Sequence, residues 1–194
     1  MTNKAERAEK IAQTVAHIRK LVGERDVVTY DILAKIKGEL VTLAKREHLF
    51  ALDDFPYPDA QDSHRSYLYR LSEDDDHRFA LYVHVTNKGV DAPPHDHTTW
   101  AVIVGVLGNE ENRFYKKVPT GVDVTGGDIV RNGHGVTLLP DDVHSIHTEA
   151  GEVVLNFHMY GLALEQLSER KYWSDAKKDW SVFPAHSGII EARG

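Results

Sequence analysis

The stretch Pro94-His95-Asp96-His97-Thr98-Thr99-Trp100-Ala101-Val102-Ile103 places two histidines directly before an apolar run that continues to Leu107. The run from Thr99 to Leu107 is rich in β-branched residues, which predicts a strand. Side chains two residues apart on a strand point to the same side, so His95 and His97 can converge on one ion while Asp96 faces away. On its own, such a pair is also compatible with a chance arrangement at a solvated strand end.

A third metal ligand has to come from elsewhere, and His144 is the best candidate. It follows the segment Val136-Thr137-Leu138-Leu139-Pro140-Asp141-Asp142 and is predicted to open a strand of the same small barrel. His147 has the opposite strand parity, so we expect only one of these two histidines to face the interior. The chain contains no cysteine, which leaves His, Asp and Glu as possible metal ligands.

The predicted strand from Val153 to Tyr160 carries an uncharged polar face. Asn156, His158 and Tyr160 alternate with apolar residues. A tyrosine hydroxyl can donate a hydrogen bond and a histidine can relay or orient it, so this row suits a hydrogen-bonded chain. A half-buried strand with its polar side in water would show the same pattern. The neighbouring histidine pair favours the functional interpretation.

Short segments with a period of two follow one another through the middle of the chain, separated by turns rich in glycine and asparagine. This pattern predicts an antiparallel sandwich or barrel. The predicted strands are Ser66 to Leu71, Arg78 to Thr86, Thr99 to Leu107, Arg113 to Val118, Val136 to Leu139, His144 to Thr148 and Val153 to Tyr160.

Two amphipathic helices are predicted before the strands. Apolar residues at helical spacing predict a first helix over roughly Ala5 to Leu21, ended by Gly23. A second helix is expected to follow Thr29, which would be its N-cap. The tail from Leu164 to Trp180 is compatible with a closing helix or with irregular structure.

The composition is that of a folded, acidic protein. The 194 residues include 23 Lys plus Arg and 30 Asp plus Glu, which gives a formal net charge of −7 with neutral histidines. A protein that tracks nucleic-acid phosphates gains affinity from Lys and Arg, so we expect no nucleic-acid partner. The sequence lacks a secretory pattern and an apolar run of the ~20 residues that a membrane span needs, so we expect a cytoplasmic protein without a membrane partner.

Two segments resemble the sequence motifs of the cupin superfamily. The first contains Gly89, the pair His95-x-His97 and Gly108, and the second runs from Gly135 through Pro140 to His144.

The glutamate ligand that is usual in the first cupin motif would fall at Ala101 or Val102, and neither side chain binds metal. The resemblance therefore implies a three-histidine metal site formed by His95, His97 and His144.

Together with Val143-His144-Ser145-Ile146 and Asn156-x-His158-x-Tyr160-Gly161, the opening stretch resembles the thiol dioxygenases of the cysteine dioxygenase family, especially the bacterial enzymes that act on 3-mercaptopropionate. The resemblance runs from Arg65 to Gly161. It implies a mainly β fold, a cupin double-stranded β-helix barrel that is antiparallel and jelly-roll-like, with N-terminal α-helices. Residues 1–194 would form a single domain, with helices packed on the barrel over 1–50, the barrel core over 65–161 and a C-terminal segment over 162–194.

The same resemblance implies one Fe(II) per chain and O2 as co-substrate. Three neutral imidazoles leave the ion its full charge and open positions for a thiolate and dioxygen, which are then held side by side. The implied reaction oxidises a small carboxylated thiol, of the cysteine or 3-mercaptopropionate type, to its sulfinate. Tyr160 would place its hydroxyl near the bound oxygen or the substrate carboxylate, His158 would orient it, and Asn156 would end the row.

The sequence departs from the family at three places. Asn156 stands where the family has serine, and the cysteine that crosslinks to the tyrosine in the mammalian enzymes is absent. Leu68 occupies the position where relatives place Arg or Gln to bind the substrate carboxylate. Two arginines are candidate substitutes for this anchor. Arg70 shares the strand parity of Leu68 and would serve if the strand shifts register, and Arg170 is one step displaced from the arginine that bacterial relatives carry after the tyrosine.

Two other functions remain open at this point. One is a cupin metalloenzyme of different chemistry, such as an isomerase or a dioxygenase that cleaves a C–C bond. The other is a noncatalytic metal- or ligand-binding cupin that acts as a sensor, which the apolar residue at Leu68 favours. Among the remaining histidines, His84 has the parity to line the barrel, and His134 is expected to lie exposed in a turn. The sequence predicts no oligomeric state.

Overall fold

The computed structural model describes residues 2–23, 27–186 and 188–193. Two α-helices come first, α1 (Asn3–Val22) and α2 (Tyr30–Ala44), and short 3-10 helices lie at Glu47–Leu49 and Leu164–Gln166. The strands are β1 (Ser66–Ser72), β2 (Arg78–Lys88), β3 (Asp91–His95), β4 (Ala101–Leu107), β5 (Glu110–Val118), β6 (Gly121–Val130), β7 (Gly135–Leu138), β8 (Val143–His147), β9 (Ala150–Leu162), β10 (Lys171–Ser174), β11 (Asp179–Val182) and β12 (Ile190–Glu191). No helix among these residues combines the length and apolar character that crossing a membrane requires.

Both predicted helices are present. The hydroxyl of Thr2 caps α1 by accepting a hydrogen bond from the backbone N–H of Ala5 at 3.4 Å. The helix ends at Gly23, whose φ of 61° is easily reached by glycine. Thr29 does stand at the N-cap position of α2, but its side chain makes no capping hydrogen bond.

The strands form two six-stranded sheets with the orders β12-β1-β2-β9-β4-β7 and β11-β10-β3-β8-β5-β6. From β2 to β9 the chain crosses to the other sheet at every connection except the β5–β6 hairpin. These crossings bring residues that are distant in sequence onto adjacent strands, such as His95 on β3 and His144 on β8.

The helices pack on the outer face of the first sheet. Apolar residues of one parity on β2, β4 and β9 join the apolar faces of α1 and α2 in one buried cluster, which includes Leu81, Val83, Val85, Val102, Val104, Leu155, Phe157 and Met159. The predicted alternation along β9 is therefore confirmed, and its other parity is free to carry polar groups.

The inner faces of the two sheets meet in a second buried cluster. Tyr82, Ile103 and Tyr160 from the first sheet belong to it, together with Ile146 from the second. The fold is therefore mainly β with N-terminal helices, and the polar row of β9 lies between the sheets.

Three strands and one hairpin were not expected from the sequence: β3, β6, β12 and the hairpin of β10 and β11. β3 contains Pro93 and Pro94, and its pairing with β8 shifts register there, as is usual for proline in a strand. β6 is exposed on both faces over most of its length, so it lacks the alternation that identifies a strand. The tail is neither a closing helix nor irregular, the two alternatives that its sequence left open. Strands β10 and β11 form a hairpin in which Trp173 lies opposite Trp180, with ring centroids 5.9 Å apart.

A close approach of two backbone segments at Gly105 on β4 gives a test of this packing. A Cβ at this position would lie 2.4 Å from the backbone carbonyl of Arg131. We expect Gly105→Ala to lower the free energy of unfolding by roughly 1–3 kcal/mol, the usual range for overpacking. Gly38 on α2 has nothing within 4 Å of its position for a Cβ, so Gly38→Ala should raise the free energy of unfolding by about 0.5–1 kcal/mol. Urea denaturation measures both changes. A Gly105→Ala variant as stable as the wild type would contradict the close approach of the Arg131 backbone to Gly105.

Candidate metal centre

Three buried histidines converge at the inner face of the second sheet. His95 ends β3, His97 follows two residues later, and His144 lies on β8 opposite His95. Their exposed fractions are 4%, 1% and 0%. One ring nitrogen from each lies within 4.8 Å of those from the other two. The structure thus brings together all three histidines that the sequence selected as metal ligands.

The spacing of these nitrogens suits a metal ion. The Nε2 atoms of His97 and His144 are 2.9 Å apart. Two ligands each about 2.1 Å from one ion, at roughly a right angle, lie about 3 Å apart. Burial lowers the pKa of His95 to about 4 and the pKa values of His97 and His144 well below their ordinary value. All three imidazoles are therefore neutral at pH 7 and keep lone pairs available for a divalent ion.

Outer contacts orient two of the three rings. Nδ1 of His95 lies 2.8 Å from the carbonyl oxygen of Pro93, and Nδ1 of His144 lies 2.8 Å from Oδ1 of Asn112. Both partners are acceptors, so each Nδ1 carries the proton and each Nε2 presents its lone pair. Nδ1 of His97 has no hydrogen-bond partner among the described residues.

The C-terminal hairpin covers this cluster. Asp96 points away from the histidines, as its parity predicts, and accepts hydrogen bonds from the Lys171 backbone N–H and from Nζ of Lys117, both at 2.9 Å. The Asp96 N–H donates in turn to the Lys171 carbonyl at 3.0 Å. The ring of Phe183 lies 5.5 Å from the ring of His95. Strand β10 and the segment after β11 therefore cover the cluster of three histidines.

His147 lies outside the cluster. Its Nε2 is 2.7 Å from Oγ of Ser145, and its Nδ1 is 2.5 Å from a carboxylate oxygen of Asp91. The expectation that only one of His144 and His147 faces the interior is confirmed.

The polar row of β9 divides into two parts. The hydroxyl of Tyr160 lies 3.1 Å from Nδ1 of His158, and the Tyr160 ring is 5.2 Å from the ring of His97. Burial raises the pKa of Tyr160 well above its ordinary value, so the hydroxyl keeps its proton at neutral pH. Asn156 instead donates from Nδ2 to Oε2 of Glu110 at 2.9 Å. Asn156 is thus connected to Glu110, while His158 is connected to Tyr160.

Glu110 is a buried acidic residue that the sequence patterns did not single out. Its exposed fraction is 0%, and it accepts a second hydrogen bond, from Nδ2 of Asn112 at 2.9 Å. Burial raises its pKa to about 7, against the effect of the two amide hydrogen bonds. The predicted strand began at Arg113, whereas β5 begins at Glu110. Extending the alternation backward from Phe114 would have placed Asn112 and Glu110 on its inner side.

A second group of side chains that could hold a metal ion consists of His84, Glu110 and His158. Nδ1 of His84 lies 3.9 Å and Nε2 of His158 lies 4.0 Å from Oε2 of Glu110. His84 is 7% exposed, so it does line the interior, as its parity allowed. The two histidine rings are 5.0 Å apart.

The two arginines predicted as anion anchors have different surroundings. Arg70 forms ion pairs with Glu73 at 2.8 Å, Glu191 at 2.7 Å and Glu165. Its charge is already matched by protein carboxylates.

Arg170 lies close to the metal centre and is 5% exposed. Its positive charge lowers the pKa of His95 and of His97, and it stacks 4.9 Å from the ring of Phe183. Nη2 donates to the Pro184 carbonyl at 3.1 Å, and Nε has no hydrogen-bond partner among the described residues. Among the described residues, no carboxylate forms an ion pair with Arg170. Leu68, 7% exposed, contributes an apolar wall to the same interior.

The position of His144 leads to a prediction about metal content. Its imidazole is one of three converging ligands, so His144→Ala should weaken metal binding at this centre by more than the roughly 10–100-fold that follows from loss of an outer partner. After desalting, we expect the variant to retain one metal equivalent fewer than the wild type. His147→Ala is the matched control and should retain the wild-type content. The opposite result would exchange the assignments of these two histidines.

No family model matches the chain, and no curated protein matches it. Solved structures do show a likeness at low sequence identity. An oxalate oxidase in complex with glycolate is 12% identical with a TM-score of 0.44, and the match covers 56% of each chain. The chain thus spans little more than half the length of that oxidase.

Two further structures have similar scores. A putative mannose-6-phosphate isomerase from Ralstonia eutropha is 16% identical, with coverage of 57% of this chain and 95% of that chain and a TM-score of 0.44. A double-stranded β-helix protein from Klebsiella pneumoniae is 14% identical, with coverage of 61% and 87% and a TM-score of 0.43.

Proposed function

We propose that the two sheets form the double-stranded β-helix of a cupin. The order of the strands supports this proposal. The eight strands from β2 to β9 divide into the sets β2-β9-β4-β7 and β3-β8-β5-β6, with the chain crossing repeatedly between them. An eight-stranded arrangement in two such sheets is the jelly-roll pattern to which cupins belong.

We propose that the protein is a non-haem Fe(II) thiol dioxygenase that oxidises a small carboxylated thiol to its sulfinate. The convergence of His95, His97 and His144 as three neutral, buried donors carries this proposal. When bound by these residues, Fe(II) would supply adjacent coordination positions for thiolate and dioxygen together with redox chemistry. The reaction RS⁻ + O2 → RSO2⁻ balances without a further reductant, because both oxygen atoms and the four electrons lost by sulfur are accounted for.

The absence of a carboxylate among these ligands supports an anionic substrate. Three neutral imidazoles cancel none of the positive charge of a divalent ion, so the centre favours binding of a thiolate. The near-complete burial of His95, His97 and His144 restricts access to small molecules.

Tyr160 is suited to donate a hydrogen bond inside the site. Its hydroxyl keeps its proton, and its ring lies 5.2 Å from the ring of His97. His158 holds the hydroxyl through Nδ1 at 3.1 Å. We assign Tyr160 the role of a donor to an oxygen of the substrate or of dioxygen, and His158 the role of a positioning residue.

Arg170 is the better of the two candidate anchors for the substrate carboxylate. It is a buried cation beside the three histidines, and it has no ion pair with a carboxylate among the described residues. Arg70 is surrounded by Glu73, Glu165 and Glu191, so an incoming anion would have to compete with three protein carboxylates.

The reaction class is tested by oxygen uptake. Protein loaded anaerobically with Fe(II) is offered 3-mercaptopropionate, cysteine, mercaptosuccinate and cysteamine in parallel, and sulfinate is detected by mass spectrometry. We expect uptake with at least one of the carboxylated thiols and none above background with cysteamine, which lacks the carboxylate. Background uptake with all four thiols, although iron is bound, would rule out the proposed activity.

The anchor is tested by substituting each arginine. Arg170→Met should raise the KM for the carboxylated thiol by roughly 10–100-fold, since a hydrogen bond to a charged group contributes about 1.5–3 kcal/mol. Arg170→Lys keeps the charge and should restore part of the affinity. A rise in KM for Arg70→Met, with none for Arg170→Met, would instead make Arg70 the anchor.

A further inference from the structure

The group around Glu110 has the features of a binding site in its own right. Its exposed fractions are 7% for His84, 0% for Glu110 and 4% for His158. We propose that a second divalent transition-metal ion binds there, through Nδ1 of His84, Oε2 of Glu110 and Nε2 of His158. This proposal does not depend on which reaction occurs at the three-histidine centre.

The distances favour a cation over direct hydrogen bonds. The ring nitrogens lie 3.9 and 4.0 Å from Oε2 of Glu110, beyond the range of an N–H···O hydrogen bond. Two ligands that are each about 2.1 Å from one ion can lie up to about 4.2 Å apart. All three ligand atoms are within 4.8 Å of one another, so a shift of a few tenths of an ångström on average would close them around an ion.

Two of the three ligand atoms have no other partner. Nδ1 of His84 and Nε2 of His158 are buried and make no hydrogen bond among the described residues. Leaving a buried polar atom unpaired costs about 1–3 kcal/mol, and native proteins rarely do so twice in one place. A divalent ion would satisfy both nitrogens, and the Glu110 carboxylate would cancel half of its charge.

Contacts beyond the three ligands hold them in place. Asn112 and Asn156 each donate to one oxygen of Glu110 at 2.9 Å, which fixes the plane of the carboxylate. Nδ1 of His158 faces the Tyr160 hydroxyl at 3.1 Å. If Nδ1 donates in that contact, Nε2 carries a lone pair toward Glu110. Partners of this kind are the usual supports of metal ligands.

The donor set indicates which ions fit. Two imidazoles and one carboxylate are typical ligands of Fe(II) and also suit Mn(II) or Zn(II), whereas Mg(II) and Ca(II) prefer oxygen ligands throughout. The two clusters are linked, because Asn112 contacts both Glu110 and His144. An ion at the Glu110 site would therefore tighten the support of the three-histidine centre.

The test is a count of ions at each site, with Co(II) as the probe. Protein freed of metal by chelation is titrated anaerobically with Co(II), desalted and analysed for metal and protein. We expect two Co(II) per chain in the wild type and in His147→Ala. Glu110→Gln and His144→Ala should each retain one, because they remove ligands of different centres, and the double variant should retain none.

One Co(II) per chain in both the wild type and Glu110→Gln would overturn the proposal. Circular dichroism checks that each variant folds, and His84→Ala replaces Glu110→Gln if the latter does not. Anomalous diffraction at the cobalt edge from wild-type crystals decides independently of any variant, since a single peak at the three histidines would also refute the second site. Thiol oxidation is measured separately, so the failure of one proposal is not mistaken for the failure of the other.

Discussion

Every polar side chain enclosed between the two sheets is removed from water and must find a partner inside the protein. Glu110 meets this requirement for much of the interior, because its two oxygens accept hydrogen bonds from Asn112 and Asn156. Asn112 then orients His144. Where this chain of hydrogen bonds ends, Nδ1 of His84 and Nε2 of His158 have no hydrogen-bond partner among the described residues, and they lie at the position proposed for the second ion.

The first sheet separates stability from chemistry by its two faces. Its outer face packs against both helices in the larger apolar cluster. Its inner face carries His84, His158 and Tyr160 beside apolar residues such as Ile103. Strand alternation makes this division possible, since neighbouring residues on β9 serve opposite faces. The helices thus compensate for an interior that gives up apolar contacts to polar groups.

The local patterns of the chain predicted the helices, most strands and the three converging histidines, because each depends on spacing within a short segment. The remaining features depend on contacts between distant segments. Strand β3 was not predicted because it contains Pro93 and Pro94, and it is recognised as a strand only from its pairing with β8. Glu110 stands in a charged run that looks exposed until β5 is paired on both sides. The sequence could not choose between Arg70 and Arg170, since the choice depends on which carboxylates fold around each.

The hydrogen bonds between Asp96 and Lys171 of strand β10 make the C-terminal hairpin part of the structure that surrounds the three histidines. The sequence motifs end at Gly161, but the backbone of Lys171 that forms hydrogen bonds with Asp96 lies beyond that residue. Arg170 and Phe183, whose ring lies beside the ring of His95, also follow Gly161. A fragment trimmed to the motifs would retain all three histidines and lose their cover. Water would then reach His95, and the pKa of its imidazole would rise toward the ordinary value. A fragment meant to keep the three histidines covered should therefore extend past the C-terminal hairpin and Phe183, and not stop where the motifs end.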